Sequence, residues 1–89
     1  MNNYQAVIQG LEDQVTAQER DLPTLQYNFG ISINELVSKL RDSDRDRQLI
    51  INDVEEYLNR MKELSFAITT TTNSIESYRS VIDTIKAQQ

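Results

Sequence analysis

The segment Asp42-Ser43-Asp44-Arg45-Asp46 alternates carboxylates with other residues, the way a calcium-binding loop opens. Counted from Asp42, the apolar Leu49 stands at the eighth position and the carboxylate of Asp53 at the twelfth. There the match fails. Arg47 occupies the place where glycine permits the sharp turn, and Asp53 is one methylene short of the closing bidentate glutamate. Arg45 and Arg47 would also repel a cation. The segment is better explained as a solvated turn, in which Ser43 or Asp44 accepts hydrogen bonds from the free amides of a following helix.

The remaining acidic pairs carry less chemistry. Glu12-Asp13 and Glu55-Glu56 are adjacent in sequence, so on a helix they diverge and form no catalytic dyad. Glu35–Lys39 and Glu56–Arg60 have the favourable i, i+4 order of surface ion pairs, worth roughly 0.2–0.5 kcal/mol each. The run Thr69-Thr70-Thr71-Thr72 is unusual for a helix, because β-branched side chains lose rotamer freedom there. It reads as a softer middle section, or as a polar contact patch together with Asn73 and Ser74.

There is no histidine and no cysteine among the 89 residues, and no glycine-rich phosphate loop. Imidazole acid–base work, thiol nucleophiles, disulfides and zinc fingers are thereby removed. The chain is expected to be non-enzymatic, with no cofactor, no bound metal and no small-molecule substrate. Fourteen acidic against nine basic residues give a net charge of −5, spread along the chain without a basic stripe, so nucleic acid is not an expected partner. The N-terminus lacks the basic and apolar regions of a signal peptide. The longest aliphatic run, Leu49-Ile50-Ile51, is far too short to span a bilayer. A cytoplasmic protein, or one that is part of an assembled particle, is the expectation.

Two glycines and one proline argue against a turn-rich β fold, and the hydrophobic pattern is helical. Ile50, Val54, Tyr57, Met61, Leu64, Ile68, Thr71, Ile75, Tyr78, Ile82 and Ile85 are spaced four and three without interruption. Such a seven-residue repeat holds one stripe against a partner helix. It predicts one helix over about 46–87. Tyr4, Ile8, Leu11, Val15, Gln18, Leu22, Leu25 and Phe29 carry the same rhythm, and Ile33, Leu36 and Leu40 continue it after a stutter. A first helix over about 3–41 is expected, kinked or broken near Pro23–Gly30, since proline removes an amide and both residues are poor helix formers. Ser32 and Glu35 have the spacing of a capping box at which a helix could restart.

Between the two repeats, residues 41–47 contain no apolar side chain. If the chain turns at 42–46, the seams pair in order, from Tyr4 with Ile85 to Leu40 with Ile50. The one polar seam residue of each half, Gln18 and Thr71, then falls in a single register-setting layer. The predicted fold is one domain over 1–89: an all-α, antiparallel two-helix coiled-coil hairpin that oligomerises into a helical bundle.

Apolar side chains off the seam point to company. Leu49, Ile51 and Leu58 widen the stripe of helix two near the turn, and Ile31 and Val37 widen that of helix one. Towards the termini the equivalent flank turns polar at Ser65, Thr72 and Arg79. Tyr27 and Phe66 lie off the seam and are the aromatics expected to touch a partner. A stripe wider than one helix needs implies a second surface to cover it. The expected function is a protein–protein interaction module, a homo-oligomer subunit or assembly factor of a larger oligomer such as a phage particle or secretion apparatus. The alternative is a small regulator or inhibitor that docks a helix face on a target protein or enzyme.

Overall fold

The computed structural model describes residues 3–41 and 44–88. It contains two helices, α1 (Asn3–Leu40, 38 residues) and α2 (Arg47–Ala87, 41 residues), packed against each other as a hairpin. The principal extents are 71 × 15 × 13 Å, so the protein is a rod two helices wide. Glu12 lies beside Lys86 and Lys39 beside Asp53, which fixes the opposite directions of the helices.

The ends follow from capping chemistry. The carboxylate of Asp46 accepts the Gln48 amide at 2.7 Å and serves as the N-cap of α2. The cap thus falls on the last aspartate of the polar run. Ser43, one of the two residues expected to cap, lies outside the described residues, as does Asp42. Lys39 and Lys86 stand in the last turns of the two helices, where a cation meets the negative end of the helix dipole.

α1 runs unbroken through Pro23 and Gly30, so the expected break is absent. Proline deletes a single bond, the one its missing amide would give to the Glu19 carbonyl, and adjacent seam residues Leu22 and Leu25 are half-buried against α2. Ser32 does not cap a second helix. Its hydroxyl donates to the Asn28 carbonyl at 3.0 Å, the bond a serine makes in mid-helix.

The stutter is also absent. Ser32 is buried, whereas Ile33 is 40% exposed. The seam therefore runs Phe29, Ser32, Leu36 and keeps the three–four rhythm of the residues before it. A serine tolerates this place because its hydroxyl is satisfied within its own helix. Leu40 and Val54, expected in the seam, are exposed, and so is Tyr4 at the far end.

The core sits in the half nearest the termini. Ile8, Val15, Ile75 and Ile82 are buried together, with Leu11, Leu22, Tyr78 and Ile85 packed on them. Among the described residues of the half nearest the turn, those buried are Ser32 and Tyr57.

Candidate functional site

The hairpin has two flanks, one on each side of the seam, and they differ. The first carries a polar lattice. The Tyr57 hydroxyl donates to Glu35 Oε2 at 2.9 Å. The Arg60 guanidinium lies 4.8 Å from the Tyr57 ring centre and bonds Glu56 at 2.7 Å, and the Lys39 ammonium lies 5.6 Å from the same ring. Arg45 and Lys39 converge on the largely shielded carboxylate of Asp53, at 2.5 and 4.0 Å. The ring of Tyr57 is thus closed in by cations and its hydroxyl by a carboxylate. The hydrogen bond to Glu35 and burial hold the phenol proton, so its pKa lies above the ordinary tyrosine value. Further along this flank Gln18 Nε2 donates to Ser74 Oγ at 2.8 Å, while Gln18 Oε1 is buried without a partner.

The second flank is written in steps of seven. On α1 it comprises Glu12, Glu19, Gln26, Ile33 and Leu40; on α2 it comprises Ile51, Leu58, Ser65, Thr72, Arg79 and Lys86. Near the termini it is ionic, with Glu12 bonded to Lys86 at 3.3 Å and Glu19 to Arg79. In the middle it is neutral and polar. Near the turn it is apolar and uncovered: Ile33, Val37 and Leu40 at i, i+4 and i+7, and Ile51, Val54 and Leu58 at i, i+3 and i+7, are all exposed.

The residues expected to meet a partner divide accordingly. Val37, Leu49, Ile51 and Leu58 are exposed in the turn half, and Ile31 is half-buried. Tyr27 (70% exposed) and Phe66 (72%) face solvent on the backs of their helices, away from the apolar strip. Sequence reasoning missed Ile33, Leu40 and Val54, which had been placed in the seam. The seven-residue spacing of Ile33 and Leu40 from Glu12 and Glu19 was the available signal.

Gln18 and Thr71 are both half-buried, and the partner of Gln18 is Ser74, one turn further along α2 than Thr71. Glu35–Tyr57 and Lys39–Asp53 share this offset, whereas the ion pairs Glu12–Lys86 and Glu19–Arg79 reach further still along α2. Part of it is the lean of helical side chains towards their own N-terminus. Of the two surface ion pairs expected, Glu56–Arg60 forms, while Glu35 and Lys39 turn to partners on α2. Among the described residues no group of three or more acidic side chains is arranged to hold a metal ion, and Asp53, the twelfth position of the calcium-like pattern, is taken by Arg45. No helix is long and apolar enough to cross a membrane among the described residues.

No family model, curated protein or solved structure matches the chain.

Proposed function

We propose that this protein is a non-enzymatic interaction module, a subunit or assembly factor of a larger oligomer, built on an antiparallel coiled coil with a local bend at Pro23. The observation that carries the reading is the apolar strip of the turn half. Six aliphatic side chains on two adjacent helix faces stay exposed, while the terminal half buries Ile8, Val15, Ile75 and Ile82 and exposes Val7 and Val81. Single exposed apolar residues are ordinary on a surface, but a periodic, two-helix strip is the form taken by a helix-packing face. Its chemistry is the burial of aliphatic groups, which needs no acid, base or cofactor.

Light scattering over a concentration series tests it. A defined oligomer that forms between about 1 µM and 1 mM is the expected result, the range set by weak to moderate interfaces. A monomer at every concentration counts against the assembly role and favours the regulator that docks on a different protein.

A further inference from the structure

We infer that the covering partner of this strip is a second copy of the chain, stacked flank to flank about a two-fold axis parallel to the rod, with both turns at the same end. The inference rests on the interaction role proposed above and adds to it the partner and its orientation.

The argument starts from level. The contacts of Glu35 with Tyr57 and of Lys39 with Asp53 place residues 35–39 beside 53–57. Ile33, Val37 and Leu40 bracket the first of these ranges, and Ile51, Val54 and Leu58 bracket the second. The apolar segments of the two helices therefore stand at one height. The ion pairs Glu12–Lys86 and Glu19–Arg79 likewise place the acidic residues of α1 level with the basic residues of α2.

A two-fold axis along the rod lays α1 of one copy on α2 of the other without changing height. Apolar then meets apolar at the turn end, neutral meets neutral at Gln26 and Ser65, and Glu12 and Glu19 meet Lys86 and Arg79 near the termini, with Asp83 of α2 beside them in the same groove. Each ion pair becomes a ring of two carboxylates and two cations. Reversing one copy over the full length would instead set Ile33 and Leu40 against the ionic end. The ionic end fixes direction while the aliphatic end supplies the burial, the usual division between charge and apolar contact at an interface. The isologous geometry also closes on itself, so one flank is consumed and the lattice around Tyr57 is left outside.

The test uses spin labels. The chain has no cysteine, so a single Ser80→Cys, on an exposed back of α2, labels each copy once. Side-by-side stacking at helix spacings of about 8–10 Å places the two labels within about 40 Å of each other. An antiparallel arrangement overlapping only at the turn halves separates them by about 70 Å or more, at 1.5 Å per residue. The short distance, together with a dissociation constant raised at least about 30-fold by Leu58→Glu with helicity unchanged, is the expected result. An oligomer with only the long distance overturns the stacking and leaves the interaction role standing. A monomer throughout overturns the stacking and the self-assembly reading together. Because Ser80 is remote from the strip, the distance measurement stands even if Leu58→Glu unfolds the chain.

Discussion

The two halves of this rod have the same helices and almost the same density of aliphatic residues, yet they use them differently. In the terminal half, Ile8, Val15, Ile75 and Ile82 are inside, and the flank beside them is closed by Glu12–Lys86 and Glu19–Arg79. In the turn half, the inside is Ser32 and Tyr57, and the aliphatic side chains sit on the flank. The terminal half is held by burial and the turn half by directed polar contacts around one aromatic ring. The lesson is that a seven-residue repeat specifies where helices touch, while the positions next to the seam decide whether the touching surface is complete.

The sharpest way to break the contrast is to remove one isoleucine from each half. Ile82→Ala is expected to cost about 2–4 kcal/mol in unfolding free energy, the range for a buried aliphatic truncation. Ile51→Ala, already exposed, is expected to cost under about 1 kcal/mol in the dilute chain. Chemical denaturation followed by circular dichroism reads both, and equal losses would erase the distinction between the halves.

Tyr57→Phe sharpens it from the other side. The ring and its cation contacts remain, and only the bond to Glu35 goes, for an expected loss of about 0.5–1.5 kcal/mol. The same bond has a pH signature. The folded phenol ionises above the unfolded value of about 10, so folded protein retains the proton longer than unfolded protein does. The stabilisation is complete below that value and declines as pH rises through the folded pKa. The absorbance change of Tyr57, isolated as the difference from Tyr57→Phe, should move to lower pH in Glu35→Gln. An unmoved transition would count against the lattice.

Gln18→Leu is expected to change stability by less than about 1 kcal/mol in either direction. It removes the unpartnered buried carbonyl oxygen along with the bond to Ser74. Gly30→Ala is expected to gain about 0.5–1 kcal/mol, because an added methyl group at Gly30 meets no atom within 4 Å beyond its chain neighbours and its own helix backbone. A loss there in the dilute monomer would show that α1 needs the glycine for its path past Pro23.

Much of the architecture was legible in the residues. The alternation of three and four located both helices, and the polar run 41–47 located the turn to within a residue or two. Ser32 was misread for a physical reason. A scan for apolar residues prefers Ile33, but the seam is a matter of backbone geometry, and a serine that bonds its own helix can lie in it. Of the kink or break expected at Pro23, the break does not occur, because one missing amide is a local loss while packing on both sides of it is collective. The lattice of Tyr57, Glu35, Arg60, Lys39, Asp53 and Arg45 could not be assembled from spacing alone. It depends on the register between the helices, and a shift of one turn exchanges every partner. The strip was half visible: Val37, Ile51 and Leu58 stood out as widened stripes, and Ile33, Leu40 and Val54 were hidden by the seam rhythm.

The position of the buried cluster has a kinetic consequence. Ile8 and Ile82 are near the two ends of the chain, so joining them first would close a loop of nearly the whole sequence, at the highest entropic cost this protein offers. Contacts beside the turn close the shortest loops but bury the least. The hairpin must therefore zip from its weakly held end towards its strongly held one. Its rate-limiting barrier lies before the isoleucines meet, and substitutions among them should speed unfolding far more than they slow folding.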